Sequence, residues 1–106
     1  MYGRIGKLRA VPGRRDALAE VLLEGARDMP GCLGYVVACD PNDADVLWVT
    51  EVWDDAASHR ASLDLPNVRA AIATGRPWIV GFEDPVETEP VGGHGLVPAA
   101  SGTSGG

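Results

Sequence analysis

The chain has 106 residues, enough for one domain with a real core, and its 45% apolar content is ordinary for a globular protein. A formal net charge of −6 excludes the usual nucleic-acid binder, which is basic. No apolar run approaches the roughly 20 residues of a membrane-spanning helix, and the opening MYGRIGKLRA lacks the uninterrupted apolar core of a signal peptide, so the expected location is cytoplasmic.

Tyr2 to Ala10 reads as a first strand. Tyr2, Arg4, Gly6 and Leu8 share one face, and Gly3, Ile5, Lys7 and Arg9 the other. Pro12-Gly13 is a turn signal. Asp16 to Met29 carries Leu18, Val21, Leu22, Gly25 and Met29 at helical spacing, and Pro30-Gly31 stops that helix. Cys32 to Asp40 is a second strand. Its two cysteines are seven residues apart, about 23 Å when extended, whereas a disulfide needs Cα atoms within about 7 Å. They read as small core residues. The turn-rich DPNDAD, Asp40 to Asp45, makes the second and third strands a hairpin.

The third strand, Val46 to Trp53, is apolar on both faces. Val46, Trp48, Thr50 and Val52 take one side, and Leu47, Val49, Glu51 and Trp53 the other. Asp54 is the expected N-cap of the next helix, in which Ala56, His59 and Leu63 recur at helical spacing. Asp64-Leu65-Pro66-Asn67 breaks the helix, Val68 to Thr74 resumes it, and Gly75 and Pro77 end it. Trp78 to Phe82 reads as an apolar connector and Val86 to Val91 as a fourth strand at a sheet edge.

The order β-α-β-β-α-β predicts a ferredoxin-like α+β fold with a four-stranded antiparallel sheet, spanning residues 1–96, followed by a loosely ordered tail over 97–106. Two helices cover one face of such a sheet. The other face carries apolar side chains, and the simplest partner for it is a second copy of the chain.

The chemistry gathers where Glu51 and Trp53 leave the third strand and His59 returns on the next helix. His59 is the natural proton acceptor, with an unperturbed pKa of about 6.5; its structural alternative is a half-buried histidine bonded to a carbonyl. Trp53 either stacks on a planar ligand or is core. Glu51 either orients His59 or pairs with Lys7 or Arg9 across the sheet. Tyr35 and Trp78 are candidate pocket walls, and Arg76 a candidate holder of an anionic oxygen. Asp55 and His59 are too few ligands for a metal site. Gly92, Gly93 and Gly95 precede no helix and so form no phosphate loop, and His94 reads as mobile.

The strand ending Val49-Thr50-Glu51-Val52-Trp53, His59 six residues on, LPNVRAAI, the Gly75-Arg76-Pro77 segment and the closing Val91-Gly92-Gly93-His94-Gly95 resemble the antibiotic biosynthesis monooxygenase domain over Met1 to Leu96. That resemblance implies a dimeric α+β barrel with two sheets packed face to face. It further implies a monooxygenase that needs no cofactor and acts with O2 on an aromatic phenol, quinol or polyketide. Trp53 matches the tryptophan of the polyketide oxygenases, His59 stands where they carry a tyrosine, and Val49 where they carry an asparagine. A haem-degrading branch uses a first-strand asparagine that this chain lacks, which ranks a haem protein below an oxygenase or a non-catalytic ligand-binding dimer.

Overall fold

β1 (Tyr2–Ala10) is the hub of the sheet in a computed structural model of the chain, which describes residues 1–96. On one side it pairs antiparallel with β3 (Val46–Trp53), which pairs in turn with β2 (Cys32–Cys39). On the other it pairs with β4 (Ile79–Phe82) and then with β5 (Val86–Thr88). α1 (Arg15–Gly25) joins β1 to β2, while α2 (Ala56–Ser62) and α3 (Pro66–Gly75) follow β3. The order β2-β3-β1-β4 is the predicted ferredoxin-like α+β arrangement. The predicted tail, 97–106, lies outside the described residues. Among the described residues, no helix is long and apolar enough to cross a membrane.

The structure corrects several boundaries. The predicted connector Trp78 to Phe82 is a 3-10 turn over Arg76–Trp78 followed by β4. The sheet therefore has five strands, because its outer edge is one strand interrupted at Glu83-Asp84-Pro85. Glu83 N–H still reaches the Lys7 carbonyl, 3.0 Å away, before Pro85, which has no N–H to donate, breaks the ladder. Val86 to Val91 shortens to Val86–Thr88. Helix α1 ends at Gly25 rather than Met29, with Asp28 in the left-handed region at φ 52°. The cap of α2 is Asp55, not Asp54: Ser58 N–H donates to Asp55 Oδ1 at 2.8 Å, holding that carboxyl below its usual range. Cys39, expected in the core, is exposed at the end of β2.

The register decides what each face of the sheet carries. Leu8 and Leu47 are paired neighbours, as are Gly6, Val49 and Val37, and Leu18 of α1 packs onto this face with no exposure at all. The opposite face is open along one row. Val36, Thr50, Ile5 and Val86 form a cross-strand row there, with Val36 58% and Val86 59% exposed. Lys7 lies over the Trp48 ring beside that row and pairs with Glu83 at 3.1 Å. After β5 the chain turns back over this face: Pro90 lies against Gly3 and Leu96 against Gly34, where the missing side chains leave room.

Two arginines at the start of α1, unfavourable to the helix dipole, have tertiary partners. Arg14 lies over the Trp78 ring at 5.7 Å, and Arg15 donates to the Asp43 carbonyl at 2.9 Å. Asn67, read as a helix breaker, donates from Nδ2 to the carbonyls of Gly25 and Arg27 and so ties α3 to the end of α1. The two helices touch at Gly25, where a Cβ would collide with the Ala71 Cβ and stand 3.3 Å from the Asn67 carbonyl. Gly25→Ala is therefore expected to destabilise the fold by about 1–3 kcal/mol, despite alanine's better helix propensity. Urea denaturation checks this; a variant as stable as the parent would mean that the α1–α3 contact is slack.

Candidate active site

Between the helix-covered face and the helices lies a cavity of about 220 Å³. Its floor is a polar row on an otherwise apolar sheet face: Tyr35, Glu51, Arg4 and Glu87 are register partners across β2, β3, β1 and β5. The first three line the cavity. Trp53 closes one end, and Met29, Leu63, Val68 and Ile72 supply apolar walls from the helices and their connections.

Trp53 is 1% exposed, and its indole N–H donates to Glu51 Oε1 at 3.0 Å. The residues are two apart on one strand, so their side chains point the same way. This bond answers the cost of a carboxylate on an apolar face, and the donor is the neighbouring indole rather than Lys7 or Arg9. Those two cations lie on the opposite face, engaged by Glu83 and Asp43. The antiparallel register puts Arg4 next to Glu51 instead.

His59 comes in from α2 over the same floor. Its ring centroid is 5.6 Å from Trp53, edge to face at 71°, and 5.7 Å from Tyr2. Ser62, one turn on and 4% exposed, donates its hydroxyl to the His59 carbonyl at 2.6 Å. Burial pushes the His59 pKa below its ordinary 6.5, and the Arg4 charge pushes the same way; Glu51 opposes weakly. The imidazole is therefore neutral near pH 7, with a lone pair available to accept a proton. Tyr35 is driven the other way: burial first, then the Glu51 charge, raise its phenol so that it stays protonated.

Of the six residues singled out from sequence, the structure brings together His59, Trp53, Glu51 and Tyr35. Trp78 and Arg76 are placed elsewhere. Trp78 packs against the Leu8–Leu47 core beneath Arg14, and Arg76 lies on the outer side of α3 in a separate surface depression with Arg69. His94 is exposed and away from the cavity. Arg4 was the residue missed. Its signal was its place on the Leu8 face of β1, opposite Glu51 once the two strands are paired. Among the described residues, no three His, Cys, Asp or Glu side chains cluster to hold a metal ion.

The profile of the family described as antibiotic biosynthesis monooxygenase matches residues 1–74. No curated protein matches the chain significantly. A solved structure from Chloroflexus aurantiacus J-10-fl, named for the same family, is 61% identical, with a TM-score of 0.88, covering 91% of this chain and 98% of its own. One from Deinococcus radiodurans, named likewise, is 25% identical with a TM-score of 0.72, covering 88% and 95%. A third, from Nitrosomonas europaea, shares 14% identity and a TM-score of 0.76 over 86% and 99%, a likeness of fold. By profile, by sequence and by fold, the chain belongs to the antibiotic biosynthesis monooxygenase family.

Proposed function

We propose that the protein is a homodimeric, cytoplasmic monooxygenase that oxidises a small aromatic phenol or quinol without a cofactor. The observation that carries the reading is His59 set edge to face with Trp53 at 5.6 Å in a cavity of about 220 Å³, where burial lowers its pKa. That volume lies below the roughly 300–1,000 Å³ typical of drug-sized ligand sites and suits one or two fused rings.

Ground-state O2 is a triplet and reacts slowly with closed-shell molecules. An aromatic anion overcomes this by giving O2 one electron, after which the two radicals combine. The protein's tasks are then to bind the ring, remove a proton, stabilise the anion and keep water out. His59 accepts the hydroxyl proton. Trp53, 1% exposed, offers the ring almost no surface; it backs His59 edge to face, with its own indole fixed by Glu51. Met29, Leu63, Val68 and Ile72 shield the ring from the helix side. One oxygen atom enters the substrate and the other leaves as water, with both reducing equivalents drawn from the substrate's own C–H and O–H bonds.

The dimer follows from the open face, where Ile5, Val36 and Val86 are exposed in one row. A second sheet packed on that row would bury it and complete a barrel. Oxygen uptake with a reduced naphthoquinone tests the activity. Consumption is expected, with a single 18O atom in the product when 18O2 is supplied. A panel of phenols and quinols that bind without any uptake would leave a non-catalytic ligand-binding dimer in its place. A Soret shift on haem titration would replace it with a haem protein.

A further inference from the structure

Arg4 is the one permanent cation among the described residues that line the cavity. Its guanidinium has five N–H donors and cannot lose its charge. Of these, Nη1 donates to the Tyr2 hydroxyl at 3.1 Å, while Nε is sealed from solvent and has no partner among the described residues. Arg4 stands between two carboxylates in register, Glu51 on β3 and Glu87 on β5. Neither forms an ion pair with it among the described residues. Both are otherwise engaged: Glu51 takes the Trp53 indole N–H at 3.0 Å, and Glu87 takes the Tyr2 hydroxyl at 2.6 Å. His59 on α2 is neutral and Tyr35 on β2 stays protonated, so the two carboxylates are the charged neighbours of Arg4 and a bound anion competes with them. A partly buried guanidinium in the wall of a cavity, with no ion pair among the described residues, is poised for an anion.

We propose that Arg4 is the anion-binding group of this cavity, and that it selects an aromatic ring bearing an ionised hydroxyl over the same ring with a neutral ether. The inference rests on reading the cavity as an aromatic site. It adds the fate of the charge: His59 takes the proton, the hydroxyl oxygen keeps the electron pair, and Arg4 holds that oxygen. Atoms and charge balance, since the neutral pair of phenol and imidazole becomes phenolate and imidazolium.

The test uses two ligands that are not oxidised, 4-nitrophenol and 4-nitroanisole, and the full-length protein. Fluorescence titration gives affinity, and the yellow absorbance of nitrophenolate gives the ionised fraction at fixed pH. The wild type is expected to bind nitrophenolate about 10- to 100-fold tighter than nitroanisole and to deepen the yellow colour. Arg4→Gln should erase that preference, and Arg4→Lys should keep part of it. Equal affinity of the wild type for both ligands overturns the proposal without needing any variant to fold, as does a preference that survives Arg4→Gln. Both of those outcomes leave the aromatic site standing. Binding of neither ligand overturns the aromatic site and the Arg4 assignment together.

Discussion

Replacing His59 by alanine is expected to lower kcat/KM for a reduced naphthoquinone by about 10²- to 10⁴-fold, the usual contribution of a positioned general base. The loss should be chemical rather than structural. His59 is only half-buried, in the middle of a seven-residue helix and outside the Leu18–Leu47 core, so its removal leaves that core untouched. The pH profile supplies the independent check. The active form is the neutral imidazole, so activity should be flat above neutrality and fall as pH drops through the histidine's pKa. Burial and Arg4 hold that pKa below 6.5, which places the acid limb below 6.5 as well. Because the Arg4 cation lowers the value, Arg4→Gln should move the limb to higher pH. In His59→Ala the limb should vanish along with most of the rate. A variant that keeps both wild-type turnover and the acid limb would remove His59 from the chemistry and leave it as a wall of the cavity.

Much of this site was legible because it is built from alternation and helical spacing, which are local. Glu51 and Trp53 two apart, and His59 six beyond Trp53, meet because a strand, a tight turn and one helical turn leave little freedom. The meeting seen at 5.6 Å follows from that short loop. What was not legible depends on pairings between distant segments. Arg4 joins the floor only when β1 is laid against β3 in the right register, and a one-residue slip would have brought in the opposite face. Ile79–Phe82 looked like a connector because its four residues are short and apolar, and their strand character comes from the free edge of β1. Trp78 and Arg76 were attractive by residue type alone. The 3-10 turn that carries them points one into the core and the other to the outside. Asp54 and Asp55 are equivalent caps by composition, and only the backbone geometry at Asp55, φ −154° and ψ 170°, chooses between them.

Val36→Asp is expected to turn a dimer of about twice 11.1 kDa into a monomer. In one chain Val36 is 58% exposed, so an aspartate there costs the isolated fold little. In a face-to-face dimer the same carboxylate would be taken out of water, opposite an apolar row and near its own symmetry mate. Burying an unpaired charge costs several kcal/mol in real proteins, and a two-fold axis applies the cost twice. With about 1.4 kcal/mol per tenfold in affinity, the dimer should weaken by at least about 10³-fold. Leu23→Asp is the matched control: Leu23 is comparably exposed, at 50%, but lies on α1, on the far side of the sheet from the Val36 row. Sedimentation velocity at micromolar concentration should show the Val36 variant at half the mass of the wild type and of the Leu23 variant, with unchanged far-UV circular dichroism. If the Leu23 variant dissociates instead, the helices form the interface and the open sheet face is wet. If the wild type itself runs as a single subunit, the exposed row of Ile5, Val36 and Val86 is tolerated by the monomer, and no barrel forms.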